Sequence, residues 1–268
     1  MAPVFRLLFF LFAPIHVAWS FDHSHAVFNE VLDDVVVVHD HQTSVDYSRL
    51  KASPGTLEKY LQLIEAVSRA DFDNWTRDQQ LAYLINVYNA QTLKLIIDHY
   101  PEISSIRDLG GLIFSSPWDR EFFRLFGEKT SLDHVEHDLI RGNFNEPRIH
   151  FAVNCASRGC PPLMQEAYTA DKLDQQLDHA TRLFMTDPER NRYDPKKNVL
   201  ELSSIFQWYK QDFITAAGSV EAFVAPYITD DQQQQKLLKD SATHGFSRTS
   251  VRFLDYDWDL NDIKNRNK

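Results

Sequence analysis

Apolar residues recur at helical spacing through most of this chain and alternate in only a few short runs. From Gly55, the stretch TLEKYLQLIEAVSRA sets Leu57, Tyr60, Leu61, Ile64 and Val67 on one face and predicts an amphipathic helix. The longest helix is predicted over TRDQQLAYLINVYNAQTLKLIIDHY, opening at a Thr76 N-cap with acid in its first turn and ending before Pro101. Across LAYLINVYNA this segment is apolar nearly all round, as a buried helix is, so its polar members Asn86, Tyr88 and Asn89 stand out.

Other segments are shorter. FDHSHAVFNEVLDDVVVV begins as an amphipathic helix and ends in an extended run of valines, followed by a loop and short strand in HDHQTSVDYSRL. TSLDHVEHDLIRG predicts a compact helix, with Thr130 and Asp133 at its start and Gly142 at its C-cap. PRIHFAV alternates and predicts a strand, as do VLELSS and the closing TSVRFLDYDWDLN. DKLDQQLDHATRLFM, IFQWYKQDF and SVEAFVAPYI predict helices, and the QQQQ run at 232–235 falls in a polar helical stretch. The sum is an α+β fold: one helix-rich domain over 21–268 around a small sheet of two to four strands, with a core over 55–228 and a C-terminal strand over 250–256.

The first 20 residues depart from this pattern. MAPVFRLLFFLFAPIHVAWS carries one positive charge at Arg6, then an apolar stretch, with Ala18 and Ser20 spaced as at a cleavage site. That predicts an export signal and a periplasmic or secreted protein starting near Phe21. The apolar part, broken by Pro14 and His16, falls short of the roughly 20 residues of a spanning helix. No later segment is long and apolar enough to cross a membrane. The full chain has 28 basic and 38 acidic residues, a net charge of −10, and no cluster of Lys or Arg, which argues against nucleic acid as a partner. Two cysteines are too few for a disulfide scaffold, so the apolar core must hold the fold.

Both cysteines lie in HFAVNCASRGCPPL, with four residues between them. They suit a local disulfide, Cys155 to Cys160, or a thiol nucleophile at Cys155 where a strand ends and the amides of Ala156 and Ser157 turn outward. A structural zinc site would need a second pair of ligands and the usual closer spacing of thiolates. A reactive thiol needs a lowered pKa and a base within reach. On LDHVEHDLIR, Leu132, Val135 and Leu139 define a buried face with Ile140 beside it, and Glu136 falls inside that face. His137 sits at its edge with Arg141 a turn further on, so Glu136, His137 and Arg141 form a candidate polar cluster; the plainer reading pairs Glu136 with Arg141 or Arg148. Alternation along RIHFAVN turns His150 away from Cys155. The histidines of DHSH and HDH lack helical metal-ligand spacing and read as solvated loop, and no metal or cofactor is expected.

Three segments together, LINVYNAQT, SLDHVEHDLIRG and PRIHFAVNCASRGCPPL, followed by LSSIFQWYKQDF and FLDYDWDLN, resemble the domain of unknown function 547 family over most of the mature chain. The resemblance implies an exported bacterial member without a settled activity. It also implies that the counterparts of Glu136 and His137 belong to the family pattern. In the plant branch a related domain follows a coiled coil and keeps the counterpart of Cys155 without that of Cys160; this chain has no heptad run.

Two functions follow as expectations. The first is a thiol-dependent hydrolase or acyl transferase acting on an amide or thioester. Cys155 attacks, His137 carries the proton, and Glu136 or Asn89 orients the imidazole. Loop amides hold the oxyanion, Arg141 or Arg148 binds a substrate carboxylate, and Asn86 and Asn154 complete the cleft. The second is a non-catalytic binding or accessory module with Cys155 and Cys160 oxidised. Either takes an unidentified small molecule or peptide, and the oligomeric state is not predicted.

Overall fold

The computed structural model describes residues 20–111, 116–229, 233 and 250–266. The expected export signal, apart from Ser20, and the Gln-rich run, apart from Gln233, lie outside these residues.

Helix α1 (Ala26–Val35) leads into a hairpin of β1 (Val36–His39) and β2 (Gln42–Val45), then the short α2 (Tyr47–Ala52), α3 (Gly55–Glu65) and α4 (Arg69–Asp73). Helix α5 (Arg77–His99) is the axis of the molecule. Its start is a capping box: Thr76 Oγ1 accepts from the Gln79 amide at 3.2 Å, and Gln79 Oε1 accepts from the Thr76 amide at 3.0 Å. α2 and α3 pack against it, and it is buried almost throughout between Gln80 and Ile97. The core around it draws on both ends of the chain, from Phe28, Val31 and Leu32 to Leu260.

A second hairpin, β3 (Phe123–Leu125) and β4 (Glu128–Thr130), precedes the segment His134–Arg141. This segment is a π-helix: the Gly142 amide bonds the carbonyl of His137, five residues back, at 3.0 Å. Of the face predicted for it, Leu132, Val135, Glu136 and Ile140 are buried, while Leu139 is only partly so. Gly142 stands at the C-cap as predicted, while the N-terminal cap differs from expectation. Thr130 belongs to β4, and the Ser131 hydroxyl accepts from the His134 amide. Gly142 has an ordinary φ of −69°, and its lack of a Cβ matters because one would lie 2.5 Å from the Asp138 carbonyl oxygen.

The strand predicted at PRIHFAV is a 3-10 helix over Pro147–Phe151. Pro147 enters its first turn, and Glu146 caps the Arg148 amide at 3.1 Å. Ile149, His150 and Phe151 are buried consecutively, because neighbours cover this segment on more than one side. One neighbour is α6 (Leu173–Met185). After α6, β5 (Arg192–Asp194) and β6 (Val199–Leu202) pair antiparallel, followed by α7 (Ile205–Trp208), α8 (Lys210–Ala217) and α9 (Val220–Ile228). The closing strand β7 (Ser250–Phe253) adds parallel to β6, with Leu200 opposite Val251. A second core of Phe151, Phe184, Phe206, Phe213 and Val224 joins these elements, with α8 also against the 3-10 helix.

The fold is thus α+β and rich in helix, with strands in three small sheets of two, two and three strands.

Candidate functional site

Past the 3-10 helix, a loop held by side-chain amides carries both cysteines. Asn89 donates to the Ala152 carbonyl at 2.9 Å and accepts from the Asn154 amide at 2.8 Å, as a strand neighbour would. Asn86 does the same for Tyr168, at 2.7 and 2.9 Å. Asn154 in turn bonds the Pro161 carbonyl and accepts from the Ala156 amide at 2.9 Å. These three asparagines, expected in a binding cleft, are buried braces of backbone. Ala156 takes a left-handed φ of 64°, uncommon for a residue with a Cβ, and its amide is committed to Asn154. It is therefore not the free oxyanion donor the sequence suggested.

The C-terminal segment clips onto this loop. Arg158 and Gly159 donate their amides to the carbonyls of Asp259 and Asp257, each at 2.8 Å, and Asn261 donates to the Ala156 carbonyl at 2.9 Å. The approach needs glycine: a Cβ on Gly159 would lie 2.9 Å from the Tyr256 ring. Tyr256 and Trp258 are thereby brought over the cysteines.

A cleft of about 180 Å³ lies below them. α5 contributes Tyr88, the turn before β3 Trp118, and the π-helix with its preceding turn Glu136 and Asp133. His150 comes from the 3-10 helix, Cys155 and Cys160 from the loop, and Trp208 and Tyr209 from α7 and the residue after it. The cysteines form a disulfide, with Cys155 half-buried and Cys160 buried. Cys155 Sγ lies 3.3 Å from the Tyr256 hydroxyl and 3.6 Å from that of Ser157.

Glu136 is buried and accepts from the Tyr209 hydroxyl at 2.6 Å and from that of Tyr88, pairing with neither Arg141 nor Arg148. Asp133 has its pKa pushed up to about 7, first by desolvation and then by the hydrogen bond and charge of Asp119. His150 donates from Nε2 to Asp212 Oδ2 at 2.8 Å and stacks on Tyr209 at 3.9 Å. Burial lowers its pKa, outweighing Asp212. Its Nδ1 is buried and has no hydrogen-bond partner among the described residues.

Of the expected catalytic group, Cys155 and Glu136 share the cleft. His137 is not among the lining side chains; its Nδ1 accepts from Arg141 at 2.9 Å, and its Nε2 is 3.8 Å from Asp133. His150 does line the cleft beside Cys155, contrary to the alternation argument, because the backbone there is helical. Arg141 is closed on Asp212, and Arg148 on Glu146 and Asp174, so neither guanidinium waits in the cleft for a carboxylate. Among the described residues, no trio of His, Cys, Asp or Glu side chains is arranged to hold a metal ion, and no helix is long and apolar enough to cross a membrane.

Asp133, His150 and the aromatic wall of Trp118, Trp208, Tyr256 and Trp258 escaped the sequence reading. The one available signal was the aromatic density of QWY and DYDW, in segments far apart along the chain.

These features define a helix-rich α+β domain with an acidic, aromatic-walled cleft that contains a disulfide. Residues 72–185 match the model of the family described as a protein of unknown function, DUF547. The match takes in Asp133, Glu136, His150 and both cysteines, while Trp208, Tyr209, Tyr256 and Trp258 lie downstream of it. No curated protein and no solved structure matches the chain.

Proposed function

We propose that this is an exported, non-catalytic binding or accessory module that works with Cys155 and Cys160 oxidised and takes a small molecule in the cleft. The observation that carries the reading is the disulfide within the lining. A sulfur bonded to sulfur has no thiolate with which to attack. Among the described residues, no hydrogen bond joins either sulfur to an imidazole, the Cys155 contacts being the hydroxyls of Tyr256 and Ser157. Export is supported by the N-terminal pattern and by the oxidised pair, which persists in oxidising compartments.

The test is thiol titration of the purified native protein. No free thiol is expected before reduction and two after it, with ligand capture retained in Cys155→Ser. One accessible thiol titrating well below pH 8 in the native protein overturns the reading, as does thioester hydrolysis abolished by Cys155→Ser.

A second reading keeps the hydrolase or acyl transferase, with Cys155 freed by an external dithiol. It is favoured by one observation: Cys155 shares its cleft with His150 and Glu136. In that form His150, rather than His137, is the imidazole at hand, and thioester turnover would depend on added reductant.

A further inference from the structure

Resting on the reading of the cleft as a binding site, we infer that its ligand is a protonated primary or secondary amine carried on a small apolar body.

The walls favour a cation. Trp208, Tyr256 and Trp258 pack ring against ring, with centroids 4.5 to 5.6 Å apart, and Trp118 joins Trp258 at 5.7 Å. Aromatic faces carry negative electrostatic potential and attract cations. Two aromatic side chains of the lining already hold one: the guanidinium of Arg107 lies 5.1 Å from the Trp258 ring, and that of Arg141 5.1 Å from Tyr209. Trp208 is 47 % exposed, a large apolar surface left at the cleft for a ligand body to cover.

The polar groups of the cleft add a demand for N–H donors. Asp133 and Glu136 are carboxyl groups, and no Lys or Arg side chain lines the cleft among the described residues. Asp212 is held ionised by His150 and Arg141, its pKa well below the ordinary carboxylate range. It therefore fixes the His150 proton on Nε2, leaving Nδ1 as a lone pair. That lone pair is buried on a residue only 2 % exposed and finds no donor among the described residues. A carboxylate ligand would meet repulsion and no donor. A neutral apolar ligand would desolvate these acceptors without satisfying them. An ammonium supplies both charge and donors, and a quaternary ammonium would supply charge alone.

The experiment compares three probes of one shape by calorimetric titration of the oxidised full chain at pH 8: 2-phenylethylamine, 2-phenylethanol and phenylacetate. The amine is expected to bind at least about tenfold more tightly than the alcohol, with phenylacetate weakest. Glu136→Gln is expected to weaken the amine about tenfold and leave the alcohol unchanged. The comparison on the wild-type protein needs no variant, so misfolding of Glu136→Gln would not spare the inference. Equal affinity for amine and alcohol overturns it, as does preference for phenylacetate or binding of none of the three. The thiol titration is scored separately, so an oxidised protein that prefers another probe sinks the amine and leaves the binding module standing.

Discussion

The imidazole of His150 and the carboxylate of Asp212 are joined at 2.8 Å across 62 positions of sequence, and the same carboxylate closes the fork of Arg141 at 2.7 and 2.9 Å. One acid from α8 thus holds the 3-10 helix and the end of the π-helix together and sets the His150 tautomer. Asp212→Asn is expected to cost about 3 kcal/mol in urea unfolding, the low end for breaking a buried pair because only part of this one is buried. Nitrogen NMR of His150 should show the proton no longer confined to Nε2. Unchanged stability together with an unchanged tautomer would show that the pair positions nothing.

Asn89 bridges two buried backbone groups. Asn89→Ala leaves the Ala152 carbonyl and the Asn154 amide unpaired in a buried region. Each orphan costs roughly 1–3 kcal/mol, so a loss of about 3 kcal/mol is expected in chemical denaturation. A loss below about 1 kcal/mol would mean that the loop reorganises or that water replaces the amide.

The disulfide closes a very short loop, which limits what it can add to global stability. Chain-entropy reasoning gives about 2 kcal/mol for a ring of this size. Reduction is therefore expected to lower the melting temperature by a few degrees and leave the protein folded, measured by circular dichroism with and without a dithiol. Its larger effect should be local, on hydrogen exchange of the Cys155 and Cys160 amides. Global unfolding on reduction would contradict this account.

A buried histidine and a half-buried carboxyl group push stability in opposite directions over nearly the same pH range. His25, bonded through Nδ1 to the Tyr60 hydroxyl at 2.6 Å, has its pKa lowered to about 4, by burial first, then by the nearby His23 and against the pull of Asp22. The folded state therefore binds fewer protons than the unfolded one between pH 6.5 and 4. Stability is lost as pH falls through that window, by about 3 kcal/mol at most. His25→Phe is expected to flatten this acid limb.

Asp133 has the reverse sign. Its pKa is raised to about 7 by desolvation first and then by Asp119, Glu136 and Asp138, with His137 Nε2 at 3.8 Å. Its contribution is complete below about pH 4 and lost as pH rises through 7. Asp133→Asn is expected to raise the melting temperature more at pH 8 than at pH 5. Amine affinity in the wild-type protein should climb over the same rise, as the carboxylate ionises while the ammonium stays charged.

The helices were legible where local rules act alone. Thr76 and the acid in the first turn announce α5, and the apolar surround of Asn86 and Asn89 marks it as buried. The site was legible only in part. Glu136 within an apolar face and Cys155 in a turn could be picked out, yet PRIHFAV alternates like a strand although its backbone is helical and covered on several sides, and that misplaced His150. Asp212 looks like one more surface acid in YKQDF until the fold brings it to His150 and Arg141. The aromatic wall is assembled from positions as far apart as Trp118 and Trp258, a relation that no local period encodes.

The clip between Gly159 and the backbone of Asp257 has a practical meaning for anyone who trims the gene. A fragment spanning only 72–185 would keep the disulfide, Glu136 and Asp133, but forfeit Tyr209 above Glu136, Asp212 beside His150, and the rings overhead. It would resemble a basin without its lid, with sticky phenylalanines such as Phe151 stripped of Phe206 and Phe213. Binding assays on such a minimal piece would return false negatives, and the tail past 250 belongs in every expression clone.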